Sequence, residues 1–455
     1  MAPKFGTSGL RGLVSDLTPG LVADYTRAFL AACPTGTGLW VGRDLRDSSC
    51  QIAEGVIAAA RGEGVTVTDC GAVPTPALAM AAMQAGAAAL MVTGSHIPAD
   101  RNGLKFYVPG GEIAKADEAA ILAALGRPAG ALAAPRRADG GVGGDWAARY
   151  RGAFGDALKG MRIGVWQHSA VSRDLLVICL EAMGAWVAPL GRTADFVPVD
   201  TEAVPDGLRQ QFAEWAGQGL DAIVSTDGDG DRPLVADAAG QIVPGDVLGQ
   251  ITAALLQADV VVTTVSANSG VELSGRFGRV VRTAIGSPFV IATMEAAGGR
   301  VVGYEPNGGF LLGFDGEGPN GPLPRLMTRD SLLPIVATLI EARRAGSLAA
   351  RVAEEPPRFT VTDRLENVPS EDGKALVARL SEQDELARFL APLGAIDRVE
   401  RTDGLRVWLA GGDVVHLRPS GNAPEFRVYA EAASPAAAAA RMEAAFALVR
   451  GTFAG

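Results

Sequence analysis

The segment with the plainest chemistry is Asp227-Gly228-Asp229-Gly230-Asp231-Arg232. Carboxylates at i, i+2 and i+4 share one side of an extended chain. Three of them that close repel one another unless a cation lies between them. The intervening glycines let the backbone turn so that all three can face one ion. Hard oxygen ligands of this kind suit Mg²⁺. An EF-hand loop also begins D-x-D-x-D, but its sixth position is Gly and its twelfth Glu. Here those positions hold Arg232 and Ala238. The plain alternative is an acidic surface turn. Against it stand Arg232 and the apolar run Ala222–Val224 just before the loop, which place the aspartates at the carboxyl end of a strand.

Four further loops carry reactive or anion-binding residues. Thr93-Gly94-Ser95-His96-Ile97-Pro98 closes the apolar stretch Ala87–Val92. A Ser on a Gly-flanked turn at a strand end is a candidate nucleophile or phosphate carrier, and otherwise a loop hydroxyl. It lacks the G-x-S-x-G form, and adjacent Ser95 and His96 do not suit a hydrolase pair. Asn102-Gly103 reads as a turn that folds Lys105 back toward Ser95. Near the start, Phe5-Gly6-Thr7-Ser8-Gly9-Leu10-Arg11-Gly12 can bind an anion or be an ordinary Gly-rich turn. Arg418-Pro419-Ser420-Gly421-Asn422-Ala423-Pro424, with Arg427 beyond, can wrap a phosphate or form a solvated hairpin loop. Tyr304-Glu305-Pro306-Asn307-Gly308-Gly309 offers directional acceptors and donors for sugar hydroxyls, or a simple turn.

These loops need elements to hold them. Helix-like and strand-like patterns alternate over the first 350 residues, the mark of α/β layering. Leu21–Ala32 reads as a helix opened by Thr18-Pro19, and Leu39–Gly42 as a strand. Gln51–Arg61 follows as a helix, Val65–Asp69 as a strand. The stretch Arg127–Gly144, rich in Gly, Ala, Pro and Arg, reads as a linker. A second block runs from strand Met161–Trp166 to strand Asp221–Thr226, and a third from about Gly245 to the amphipathic helix Asp330–Ala345. After Glu354-Glu355-Pro356-Pro357 the period changes to two. Asp403-Gly404 and Gly411-Gly412-Asp413 mark hairpins, and Ala436–Val449 closes as a helix. The expected fold is α/β: three similar mixed α/β domains, then a smaller α+β domain, around a central cleft. The expected domains are 1–140, 141–244, 245–353 and 354–455.

Composition narrows the partners. The 455 residues carry a net charge of −10, with 41 Lys plus Arg against 51 Asp plus Glu. The pI of about 5.0 speaks against bulk nucleic-acid binding. An anionic substrate would need a local cationic pocket set against the protein's own field. No apolar run reaches the ~18 residues of a membrane span. Four cysteines without C-x-x-C spacing, and an N-terminus without signal-peptide layout, point to the cytoplasm.

Together the five loops, in order and spacing, resemble the α-D-phosphohexomutases, the family of phosphoglucomutase, phosphomannomutase and phosphoglucosamine mutase. The resemblance runs from Phe5 to about Glu431. It implies a mutase that interconverts hexose 1-phosphate and hexose 6-phosphate through a phosphoserine and a hexose 1,6-bisphosphate. It implies that Ser95 carries the phosphoryl group and that Asp227, Asp229 and Asp231 hold Mg²⁺ with Ser95 as a further ligand. Arg232 would neutralise charge, His96 and Lys105 would transfer protons, and Arg11 and Ser8 would flank the phosphoserine. Glu305 and Asn307, beside Gly308, would read the sugar. Arg418, Ser420, Gly421, Asn422 and Arg427 would grip the phosphate that is not reacting.

The sequence departs from the family pattern at named places. Gly94 and Ile97 replace Ala and Asn of T-A-S-H-N-P. Tyr304, Asn307 and Gly309 replace Gly, Ser and His of G-E-x-S-G-H. Ser287 and Pro288 stand after Gly286 where many members have a basic residue. The Ser8 opening resembles the phosphomannomutase and phosphoglucomutase style. Mannose or glucose phosphate is therefore the expected substrate, with glucosamine phosphate as the alternative. A non-catalytic sugar-phosphate-binding protein and a metal-dependent phosphatase are the readings from other classes. The protein is expected to be a monomer or dimer.

Overall fold

A computed structural model of the chain describes residues 3–6, 9–420 and 424–453. The first sheet is built on parallel strands Leu39–Arg43, Val67–Ala72 and Ala88–Val92. Every residue of Ala88–Val92 is buried, because helices cover both faces of the sheet. Arg101–Val108 returns antiparallel beside Ala88–Val92, and Leu10–Leu13 pairs with it in turn. The helix Pro19–Ala32 starts where Thr18 caps the Leu21 N–H at 3.3 Å, with Pro19 fixing φ at the first turn.

The second sheet orders its strands Trp186–Arg192, Arg162–His168, Ala222–Thr226, Pro233–Asp237. The third orders Arg279–Thr283, Val260–Thr264, Val301–Tyr304, Phe310–Leu312, Leu326–Asp330. The last sheet is an antiparallel five-stranded sheet of Phe359–Glu366, Glu425–Ala432, Val414–Pro419, Leu405–Leu409 and Ile396–Glu400. Helices Ser370–Leu380, Gln383–Leu390 and Pro435–Phe453 accompany it.

One construction recurs in the first three sheets. A strand ends, a short loop follows, and the next strand returns antiparallel. Ala88–Val92 and Arg101–Val108 bracket the Ser95 loop. Ala222–Thr226 and Pro233–Asp237 bracket the aspartate loop. Val301–Tyr304 and Phe310–Leu312 bracket the Glu305 loop. In the last sheet Val414–Pro419 and Glu425–Ala432 also pair antiparallel, with Arg418 opposite Arg427 near the end of the ladder.

The first three sheets share one apolar core that includes Trp146, Tyr150, Leu248, Tyr304, Leu332 and Leu339. The fourth sheet has a core of its own, with Leu376, Val407, Phe426 and Phe446. Its junction with the third block includes a cluster of ion pairs and hydrogen bonds. Glu431 accepts from Arg358 at 2.6 Å, from Arg406 at 3.3 Å and from the Ser269 hydroxyl and N–H.

Two readings of the sequence are corrected. The stretch Arg127–Gly144 is not simply a linker. Arg136–Ala138 adds a parallel edge strand to the first sheet, pinned where Arg136 bridges Glu54 at 2.7 Å and Asp69 at 2.6 Å. Helix Val142–Phe154 then begins inside the stretch, with Val142, Trp146 and Tyr150 at helical spacing into the core. The second correction concerns Asn102-Gly103, which lies within the strand Arg101–Val108 rather than in a turn. Asn102 is held by Ser48 and Ser49, each at 2.9 Å, and its own oxygen takes the Gly103 N–H. The chain reverses earlier, between Thr93 and Asp100. Among the described residues, no helix is long and apolar enough to cross a membrane.

Candidate active site

Ser95 sits on a backbone bend with φ of 54°, a left-handed value uncommon outside glycine. Its N–H donates to Thr93 Oγ1 at 2.7 Å, and its hydroxyl donates to Asp227 Oδ2 at 2.6 Å. Only 1% of Ser95 is exposed. The loop is tied by a residue that sequence reasoning passed over, Arg46. Its guanidinium donates to the carbonyls of Ser95 at 2.9 Å, Ile97 at 2.6 Å, Pro98 at 2.7 Å and Arg101 at 3.1 Å. Nε pairs with Asp44 at 3.1 Å, and the Phe196 ring lies 3.8 Å beneath the group. Gly94 leaves the room: a Cβ there would stand 2.7 Å from the Arg46 guanidinium carbon. The signal was a charged residue just after a strand end, in Gly42-Arg43-Asp44-Leu45-Arg46. Replacing Arg46 by Met strands the buried Asp44 and four carbonyls. We expect a loss of about 3–5 kcal/mol in urea unfolding; a change under ~1 kcal/mol would remove Arg46 from the loop's support.

The aspartate loop is a tight six-residue turn rather than an extended run. Asp227 N–H donates to the Arg232 carbonyl at 3.1 Å, and Gly230 has φ of +76°. Gly228 lets this loop meet the Ser95 loop, since a Cβ there would lie 2.9 Å from the Ser95 carbonyl oxygen. All three aspartates are fully buried, with one oxygen from each within 4.8 Å of the others. Lys105 Nζ donates to Asp229 and to Asp231, each at 2.6 Å. It reaches them from the strand Arg101–Val108. Thr75 donates to Asp229 at 2.6 Å, and Arg329 pairs with Asp231 at 2.8 Å. Asp229 Oδ1 and Asp231 Oδ1 are buried with no hydrogen-bond partner among the described residues. Orphaned carboxylate oxygens beside a serine hydroxyl are a donor set that fits a hard divalent cation.

Electrostatics separate these groups. Burial, with Asp229 and Asp231 alongside, pushes the Asp227 carboxyl well above the usual range. For Asp229 burial acts upward too, but Lys105, the Thr75 hydroxyl and Arg329 together outweigh it and hold the group low. Burial, then Arg232 and Arg11, depress His96, so the imidazole is neutral. Arg232 lies 3.0 Å from His96 Nδ1 and can only donate, which puts the ring proton on Nε2.

Above this floor opens a cleft of about 450 Å³. Six arginines line it: Arg11, Arg232, Arg329, Arg364, Arg418 and Arg427. This is the local cationic pocket that an acidic protein needs for an anion. His96, Glu305, Asn307 and Ser420 also line it. Ser95 and the aspartates are buried beside two of its lining residues, His96 and Arg232, with Lys105 seated on Asp229 and Asp231. Gly308 shapes the Glu305 loop with φ of +85°, Asn307 Oδ1 accepts the Gly309 N–H at 2.9 Å, and Thr201 anchors the Asn307 carbonyl at 2.8 Å. Arg418 pairs with Asp403 at 2.8 Å and Arg427 with Glu425 at 3.4 Å. Ser8, Gly421 and Asn422 fall outside the described residues. Besides Arg46, sequence reasoning missed Asp200, Glu202, Arg329 and Arg364, which face the cleft from segments with no motif.

The pattern "Phosphoglucomutase/phosphomannomutase, alpha/beta/alpha domain I" matches residues 2–129. Domain III of the same set matches residues 244–359, and its C-terminal domain matches residues 339–449. A phosphomannomutase of Sinorhizobium fredii is 45% identical over 460 residues, covering 96% of this chain and 97% of the relative. A phosphomannomutase of Salmonella muenchen is 40% identical, covering 95% and 92%. A solved structure of a phosphoglucomutase/phosphomannomutase family protein from Burkholderia thailandensis shares the fold, with a TM-score of 0.79 at 21% identity over 99% and 98%.

Proposed function

Because this chain belongs to the phosphoglucomutase/phosphomannomutase family of α-D-phosphohexomutases, and so is a hexose-phosphate mutase, we propose that it works through a phosphorylated Ser95 on mannose phosphate, glucose phosphate or both. The observation that carries the proposal is the Ser95 hydroxyl, 2.6 Å from Asp227 in a cluster of buried carboxylates with two orphaned oxygens. In this reading a hydroxyl oxygen of the hexose phosphate attacks the phosphorus on Ser95. The bond from phosphorus to Ser95 Oγ breaks, the hydroxyl gives up a proton as the Ser95 oxygen gains one, and a hexose 1,6-bisphosphate is formed. After the sugar reorients, Ser95 Oγ attacks the other phosphorus, the bond from that phosphorus to the sugar oxygen breaks, and the sugar oxygen takes up the proton. A hexose 1,6-bisphosphate therefore also serves as activator.

Mg²⁺, held by Asp227, Asp229, Asp231 and the Ser95 oxygen, would neutralise charge on the phosphoryl group. Arg11 flanks the phosphoserine and Arg232 adds positive charge beside it; the family resemblance gives Ser8 a part there too. His96, neutral with its proton on Nε2, acts as a donor. Lys105, seated on Asp229 and Asp231, is with His96 a candidate for proton transfer to and from the sugar hydroxyl. Glu305 and Asn307, shaped by Gly308, read the sugar hydroxyls. Arg418, Ser420, Gly421, Asn422 and Arg427 hold the distal phosphate. That site must accept either end of the sugar, which suits a fourth domain with its own core. The same reading divides the chain into domains 1–140, 141–244, 245–353 and 354–455. It places a monomer or dimer in the cytoplasm, in keeping with four unpaired cysteines.

The substrate choice rests on the names of the two relatives at 40–45% identity. The test follows isomer formation and inorganic phosphate release side by side, with Mg²⁺ and catalytic glucose 1,6-bisphosphate. Mannose, glucose and glucosamine phosphates are compared. The expected result is isomerisation of mannose or glucose phosphate with little phosphate released. Stoichiometric phosphate release without isomer would replace the proposed route by phosphatase chemistry, and a preference for glucosamine phosphate would correct the substrate.

A further inference from the structure

Arg329 comes from the end of the strand Leu326–Asp330, a segment with no motif in the sequence. Its side chain is 3% exposed, yet it borders the cleft. One terminal nitrogen lies 2.8 Å from Asp231 Oδ2 and the other 3.6 Å from Glu305 Oε2. Its Nε lies 4.0 Å from Glu112 on the first block. The guanidinium fork thus spans the aspartate cluster and the sugar-reading loop, which belong to different sheets. The surrounding backbone is fixed. Ser331 donates to the Gly230 carbonyl at 2.7 Å, Leu332 N–H donates to Asp330 at 3.0 Å, and Tyr150 donates to Asp330.

Gly309 makes the arrangement possible. A Cβ at that position would lie 2.9 Å from Arg329 Cδ and 3.1 Å from Cγ, so a side chain there would displace the arginine stem. Gly309 is one of the positions where the chain departs from the family pattern. Ser287 is another, and its hydroxyl donates to Glu112 at 2.6 Å, on the far side of the same guanidinium.

We propose that Arg329, admitted by Gly309, is a positioning residue that couples the metal site to the sugar site by holding Asp231 and Glu305 on one guanidinium. The assignment rests on the roles given above to Asp231 and Glu305. A cation on Asp231 weakens the hold of that carboxylate on Arg329, and the arginine then acts more strongly on Glu305. The reverse follows by linkage, so each ligand changes the affinity of the site for the other.

The experiment is a calorimetric cycle on the full chain. Mg²⁺ is titrated with and without mannose 6-phosphate, and mannose 6-phosphate with and without Mg²⁺. In the wild type the two affinities are expected to be coupled about fivefold or more. Arg329→Gln should cut that ratio several-fold, and Arg329→Lys should restore only part of it, because an ammonium lacks the fork. Gly309→Ala should resemble Arg329→Gln although the arginine is still present. Circular dichroism and thermal melts confirm that each variant is folded. A structural role alone would lower the melting temperature and leave the coupling ratio intact. A wild-type ratio near one, or a ratio in Arg329→Gln and Gly309→Ala within twofold of the wild type, overturns the proposal. Wild-type turnover is assayed beside the cycle. Coupled binding without isomerisation would count against the mutase reading and still uphold the coupling.

Discussion

Replacing Ser95 by Ala is expected to abolish isomerisation while leaving the protein folded. In the proposed route the hydroxyl oxygen is the atom that carries the phosphoryl group, so no neighbouring residue substitutes for it. Loss of a nucleophile elsewhere costs about 10⁶ in kcat, and we expect a fall of at least ~10⁴ here. The fold should survive because the loop does not depend on the hydroxyl. Arg46 holds four of its surrounding carbonyls, and the Ser95 N–H is bonded to Thr93. Alanine at φ of 54° costs only ~1–2 kcal/mol of backbone strain. Intact mass gives an independent readout. Wild-type protein incubated with Mg²⁺ and a hexose 1,6-bisphosphate should gain about 80 Da, one phosphoryl group, between Thr93 and Lys105. The variant should gain none. Wild-type turnover in Ser95→Ala, or a mass gain elsewhere in its place, would remove Ser95 from the route.

Asp229→Asn carries the second largest expected effect, on the metal response. The variant keeps the size of the side chain and removes one of three charges that face a common point. Lys105 keeps Asp231 as a partner at 2.6 Å, so the ammonium is not left alone in the interior. The cation loses a charged ligand outright, a larger change than altering a residue that only orients a ligand. Changes of the latter kind already cost about 10–100-fold in affinity. The Mg²⁺ concentration for half activation should therefore rise at least ~100-fold. Chelation should silence the wild type, and added Mg²⁺ should restore it. A wild-type metal response in Asp229→Asn would take the aspartates out of the metal site.

Asp227, Asp229 and Asp231 lie within five positions of one another, so the spacing that proposes a shared site is written locally. The same holds for Ser95 and His96 and for Glu305 and Asn307. The linker reading of Arg127–Gly144 went wrong because Gly and Arg dominated the composition, while Val142, Trp146 and Tyr150 already carried the helical spacing. The Asn102-Gly103 reading went wrong because the dipeptide favours turns in isolation. Here Ser48 and Ser49, more than fifty residues away, satisfy the Asn102 amide within a strand.

By itself the sequence determined the loops, their order, the α/β layering that sets each at a strand end, and the family to which those loops belong. These depend on short-range spacing and on the period of apolar residues. Tertiary structure alone decided which generic residues join the site. Arg46 reaches the Ser95 loop across 49 positions, and Arg329 reaches Asp231 and Glu305 from a strand of another block. Phe196, Thr75 and Lys105 complete their contacts the same way. An arginine has the same charge wherever it stands in a chain. Its effect is decided by burial, by the carbonyls and carboxylates brought within ~3 Å, and by the glycines that leave room for its stem, all of which exist only once the sheets have packed.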